Sequence, residues 1–246
     1  SYLRLSELLA QQVPESDPPA HDELLFITVH QAYELWFKVL LYELETARDH
    51  LLADDDLWTP RHLLQRVTTI ERVLIEQIDI IETMTPQDFL VFRAYLAPAS
   101  GFQSVQYREL EFLSGHKDPA YIERLRGASD AEQDRLRRRL DEPTVWDGFL
   151  SALRRAGLAA EPDDALIESL RTVALDRNTY GALWDLAEAL VAHDEAAANW
   201  RARHVAMVER QIGTKSGTGG STGAPYLHSR LGLRYYPVLW DLRTWL

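Results

Sequence analysis

Residues 22–50 read DELLFITVHQAYELWFKVLLYELETARDH, and the spacing of their apolar side chains decides the fold class. Leu25, Val29, Tyr33, Trp36, Leu40 and Leu44 recur at intervals of three and four. That spacing lines one face of a single long amphipathic helix, whereas a strand would need alternation. Pro18-Pro19 keeps the preceding chain from running into it, because proline lacks the amide proton and crowds the turn before it.

The same punctuation continues outward. Thr59-Pro60 has the form of an N-cap followed by proline at the first helical position, and predicts a second helix to about Thr83. Thr85-Pro86-Gln87-Asp88 repeats the signal, with an acid where a capping box needs one. Further helices are expected over residues 100–113, 130–140, 144–156, 163–173, 177–192 and 194–212, the last stopped by Gly213. No stretch reads as a strand and no segment repeats. The expectation is an all-α helical bundle forming a single domain over residues 1–246, near the upper end of what one core holds.

Composition narrows the chemistry. The net charge of −12 argues against nucleic acid and anionic membrane surfaces, since both call for a basic face. No uninterrupted apolar run approaches the roughly 20 residues that span a bilayer. The chain opens Ser1-Tyr2-Leu3-Arg4, with neither a signal-peptide pattern nor an initiator methionine, so a native start upstream is expected. With no cysteine, disulfides, thiolate zinc sites, iron–sulfur clusters and thiolate-held haem are excluded. A haem would have to hang from His, Tyr, Met84 or Met207, and histidine is the expected ligand.

Residues 213–223, GTKSGTGGSTG, differ in kind. Glycine and hydroxyl residues make this a loop, and its spacing fits neither a P-loop nor a dinucleotide fingerprint. Its length suits an element that covers a ligand, although a plain solvent loop has the same composition.

Three short constellations could carry chemistry. Phe26 and His30 lie one helical turn apart, so an aromatic ring and an imidazole point from one face. Arg93 follows Phe89 among apolar and aromatic neighbours, an arrangement ready to grip a carboxylate in bidentate fashion. His204 shares a helical face with Trp200, Val205 and Val208, which a haem-ligating helix requires. Each has a plainer alternative: a structural histidine, or an arginine stem laid over Phe89.

Longer motifs join the three. HDELLFITVHQAYELWFK (residues 21–38), MTPQDFLVFRAYLAPASGFQSVQYRELEF (84–112) and WRARHVAMVERQIGTKSGTGG (200–220) closely resemble the tryptophan 2,3-dioxygenase family. The likeness runs in the family's order from Tyr2 through YPVLWDLR near the C-terminus, more loosely over residues 119–198. It implies a haem b enzyme that opens the indole C2–C3 bond of L-tryptophan, or of a close derivative, with O2, as a cytoplasmic homotetramer.

By position, the resemblance makes His204 the axial ligand of the haem iron, and Phe26 and His30 the distal lining, with His30 as the catalytic imidazole near the indole N–H. Phe89 and Leu96 become pocket walls, and Arg93 the carboxylate clamp. Ser100 and Gly101 fall at the pocket and haem edge, and Thr218 contacts the substrate's amino-acid end as the loop closes. Tyr2 and Leu3, in segment 1–13, reach a neighbouring subunit's pocket. Relatives that insert a single oxygen into an indole, and a non-catalytic haem sensor or carrier, remain the alternatives.

Overall fold

A computed structural model describes residues 2–96, 104–125, 128–161, 164–217 and 223–246. Every regular element among them is helical, as the periodicity predicts. In chain order they are α1 (Leu5–Leu8), α2 (Glu23–Ala53), α3 (Trp58–Ile81), α4 (Pro86–Phe92), a 3-10 turn (Arg93–Leu96), α5 (Val105–Ser114) and α6 (Ala120–Arg124). There follow α7 (Asp130–Asp141), α8 (Val145–Arg155), α9 (Asp164–Leu175), α10 (Arg177–Ile212), α11 (Ala224–His228), α12 (Pro237–Asp241) and a 3-10 turn (Leu242–Trp245).

The chain divides into two compact units, each assembled from three separated stretches. One gathers Ser1–Trp36, Val73–Ser104 and Trp200–Leu231; the other gathers Phe37–Arg72, Val105–Asn199 and Gly232–Leu246.

The larger unit has a well-buried core. Phe112, Tyr121, Phe149, Leu51 and Leu64 are fully buried there. Gly148 of α8 lies so close to α2 that a Cβ on it would stand 2.8 Å from the Leu51 Cβ. Arg139 of α7 is buried and binds Glu45 of α2, Glu109 of α5 (3.3 Å) and Glu142 (2.9 Å), tying three segments together. Buried charges persist only with such partners.

Several helix ends differ from the expectation. Asp56, not Thr59, caps α3: its carboxylate accepts from the Trp58 and Thr59 amides at 2.9 and 3.3 Å, so the helix starts before Pro60. Helix α5 begins at Val105, with Ser104 outside it; Ser100 and Gly101 lie outside the described residues. The two helices expected on either side of residue 193 are one continuous helix, whose backbone irregularity falls at Tyr180 instead.

The reason is chemical. His193 and Asp194 serve as buried anchors rather than a helix boundary. His193 bridges Glu71 Oε1 through Nδ1 and Ser114 Oγ through Nε2, each at 2.9 Å. Asp194 Oδ2 accepts from the amides of Tyr235 (2.9 Å) and Tyr236 (3.1 Å) and from the Trp240 indole (3.0 Å). Local propensity cannot see such partners.

Helix α2 carries no uninterrupted apolar run of roughly 20 residues, yet by length and composition it is long and apolar enough to cross a bilayer. Along it Val29, Phe37, Leu40, Leu41 and Leu44 are buried in protein, whereas Leu24, Leu35 and Tyr42 are exposed.

Candidate functional site

The candidate residues collect in the unit containing Ser1–Trp36, Val73–Ser104 and Trp200–Leu231. Its core joins Val29, Ile81, Met84, Phe89 and Phe92, with Phe26, Tyr33, Leu96, Met207 and Ile212 packed against it. Three helices deliver these side chains. Helix α2 presents Phe26, His30 and Tyr33 at spacings of four and three. Helix α4 starts where Thr85 Oγ1 accepts the Asp88 amide at 3.2 Å, as its capping signal predicts. That start sets Phe89 and Phe92 inward and leads into the turn bearing Arg93 and Leu96. Helix α10 contributes Trp200, His204 and Met207.

The aromatic contacts are close. Phe26 lies 4.0 Å from the His30 ring, 5.7 Å from Phe89 and 5.5 Å from Phe92, with Phe89 and Phe92 edge to face at 5.5 Å. The structure therefore brings Phe26, His30, Phe89 and Leu96 around one cluster.

His30 is fixed by its own helix. Its Nδ1 sits 2.7 Å from the Phe26 carbonyl, which can only accept, so Nδ1 carries the proton and donates. In the neutral ring Nε2 is then left as a bare acceptor. Burial pulls the basicity of His30 below its ordinary value, and the Phe26 carbonyl and Glu34 only partly oppose it.

His204 goes further. Burial, and then the proximity of His30, push its pKa down to about 4, so the ring is neutral at physiological pH. Among the described residues His204 makes no hydrogen bond. Both imidazoles are deeply enclosed yet keep part of their accessible surface.

This arrangement fits a haem. A haem held by histidine needs one neutral imidazole with a free nitrogen, and His204 would supply it. A bare metal ion would need several protein ligands, and no group of three or more His, Asp or Glu suited to a metal occurs among the described residues.

Arg93 is half-buried, and its Nη2 donates to the Ser216 carbonyl at 2.6 Å. Among the described residues no carboxylate pairs with it, so the guanidinium retains donors for an external anion. Ser216 belongs to the glycine-rich loop, whose arms meet at Gly223. There φ is +71°, and a Cβ would fall 2.5 Å from the Lys215 carbonyl, so only glycine fits. Thr218 lies outside the described residues. Tyr2 and Leu3 are exposed at 99% and 64%, and neither joins the aromatic cluster.

Sequence reasoning missed four contributors: Phe92, Met207, the Ser216 carbonyl and Tyr33. The first two sit at helical spacing from Phe89 and His204 and were legible as apolar neighbours. Nothing in a sequence announces a loop carbonyl as the partner of a distant arginine.

Comparison with known proteins places the chain by sequence. The sequence matches the family described as Tryptophan 2,3-dioxygenase over residues 1–174 and 164–246. A protein of Nocardioides sp. named tryptophan 2,3-dioxygenase is 64% identical over 247 residues, covering 99% of this chain and 92% of its own. Proteins of the same name from Herpetosiphon aurantiacus and Myxococcus xanthus are 43% and 40% identical, each over 99% of this chain and over 96% and 87% of their own lengths. The chain belongs to the tryptophan 2,3-dioxygenase family.

Proposed function

We propose that this chain is a haem b dioxygenase that opens the C2–C3 bond of L-tryptophan with O2, placing both oxygen atoms in N-formylkynurenine. One observation carries the assignment. A neutral, enclosed His204 lies close enough to His30 to feel a charge on it, His30 Nε2 is a bare acceptor, and the same unit holds Arg93 without a carboxylate partner among the described residues.

His204 would hold the iron, and bound haem supplies the chemistry that activates O2. The chain's own groups do the rest. His30 Nε2 accepts the indole N–H and thereby orients the ring; a protonated imidazole could not, and burial keeps this one neutral. Phe26, Phe89 and Leu96 wall the indole. Arg93 binds the carboxylate, a charge-assisted contact that an indole lacking the acid group leaves unmade, so such compounds are rejected.

Ser100 and Gly101 complete the pocket and haem edge, and Thr218 meets the substrate's ammonium and carboxylate end. Closure of loop 213–223 over the site would keep water out. Tyr2 and Leu3 enter a neighbouring subunit's pocket in a cytoplasmic homotetramer, with residues 1–246 acting as one catalytic domain. Their exposure in the isolated chain supports this placement.

The test is product mass after aerobic turnover of haem-loaded protein with L-tryptophan. A product heavier by two oxygen atoms is expected. A gain of one oxygen would make the enzyme a mono-oxygenase, and a red protein with no product would make it a haem carrier.

A further inference from the structure

An imidazole that ligates a metal is normally held by a hydrogen bond at its second nitrogen, which fixes the ring plane and tunes its basicity. His204 makes no hydrogen bond among the described residues. Its helix is anchored on both sides. Arg203 pairs with Asp79 (2.6 Å) and Glu82 (3.2 Å), and Gln211 Nε2 donates to the Met84 carbonyl at 2.8 Å. These contacts hold the α10 backbone in place. None of them stops the imidazole from turning about its own side-chain torsions.

The ring plane is held by stacking instead. Trp200, one turn earlier on α10, lies against His204 with ring centroids 5.0 Å apart and planes 8° from parallel. Both the separation and the near-parallel planes suit offset stacking. Trp200 is held in turn. Tyr33 of α2 meets it edge to face at 6.1 Å and 72°. The Tyr33 hydroxyl donates to the Leu74 carbonyl of α3 at 2.7 Å. Burial pushes the Tyr33 pKa up to about 12, partly opposed by Trp200, so this donor keeps its proton across the physiological range. The contacts thus run from the α3 backbone through a phenol and an indole to the imidazole.

We infer that Tyr33 and Trp200 are positioning residues for His204, fixing the plane in which its imidazole would meet a haem iron. The inference rests on the proposed role of His204 as that ligand. It adds what the role leaves open, namely which residues substitute for the missing hydrogen-bonded partner. A stacked indole constrains rotation of the ring while leaving both nitrogens free.

The experiment compares haem-loaded protein with its Tyr33→Phe, Trp200→Phe and Trp200→Leu variants. The primary reading is the iron–histidine stretching band of the ferrous protein by resonance Raman spectroscopy. The second is the rate at which haem passes to excess apomyoglobin. Tyr33→Phe keeps the ring and removes only the hydroxyl anchor, so it decides the matter even if Trp200→Leu does not fold.

The band should shift or broaden in every folded variant. Haem release should quicken by about tenfold in Trp200→Leu and by less where a ring is kept. In the Trp200 variants turnover number should fall while the Michaelis constant for tryptophan stays, because Trp200 is not part of the core formed with Phe26, Phe89 and Leu96. An unchanged band and release rate in Tyr33→Phe and Trp200→Phe would overturn the inference, even with a lowered melting temperature. Absence of any such band from the unsubstituted protein would instead remove His204 as ligand, and this inference with it.

Discussion

Two neighbouring imidazoles acquire different chemistry from what their ring nitrogens meet. His30 Nδ1 donates to the Phe26 carbonyl, so Nε2 is an acceptor, whereas His204 is neutral and makes no hydrogen bond among the described residues. The substitutions should separate accordingly. His204→Ala should purify with little haem and no turnover, whereas His30→Ala should keep its haem; a normal Soret band in the first variant would refute the ligand assignment. Arg93→Leu should raise the Michaelis constant for tryptophan about tenfold or more with haem content unchanged, as loss of a charge-assisted contact predicts. An unchanged constant would place the carboxylate elsewhere. Tyr33 yields a pH prediction. Its folded pKa of about 12 exceeds the unfolded value of about 10, so above the lower value the unfolded chain sheds its proton first. The stability from keeping the phenol protonated is therefore complete below about pH 10 and lost as pH rises to about 12. Denaturant midpoints at about pH 9 and 11 should fall less in Tyr33→Phe than in the parent, and equal falls would contradict the shift.

At the scale of elements, the sequence was most readable where one side chain does one local job. Thr85, Ser129 and Thr144 each cap a helix through the amide three residues on, and residues 130–140 and 144–156 were placed within a residue or so of α7 and α8. The long face of α2 was also legible, except that Trp36, read as part of it, is exposed. Boundaries failed where a residue's partner lies far along the chain. Asp194 resembles a helix start until Tyr235, Tyr236 and Trp240 are seen to occupy its carboxylate. The site followed the same rule. Phe26 with His30 was legible because one helical turn joins them, whereas Arg93 with Ser216 was not, because 123 residues separate them. Gly148 shows an element contact that composition hides. Gly148→Ala should destabilise the protein by about 1–3 kcal/mol, since its Cβ meets Leu51 and the Arg48 carbonyl rather than open space. Reversible denaturation should detect this, and an unchanged midpoint would mean that α2 and α8 can separate without cost.

At the scale of the whole molecule, the N-terminal segment is the part its own chain leaves uncovered. Tyr2, Leu9 and Val13 are exposed at 99%, 71% and 61%, and α1 is only four residues long with no buried side chain. Its ties to the body are polar: the Gln31 amide donates to the Gln11 carbonyl at 3.0 Å, and Gln12 donates to Gln31 at 2.5 Å. Hydrogen bonds between exposed amides contribute little to stability, whereas a run of apolar side chains gains by leaving water. A reciprocal exchange of this segment within a closed homo-oligomer would bury it on every subunit at once. The expectation is therefore specific. Deleting residues 1–9 should reduce the assembly's mass by light scattering and lower tryptophan turnover, while circular dichroism retains most of the helix signal, because the deletion removes only the short α1. Haem content should persist, since His204 and its neighbours lie elsewhere in the sequence. A truncated protein that remained monomeric with full activity would mean that each pocket is complete within one chain, and the exposed tyrosine and leucines would need another partner.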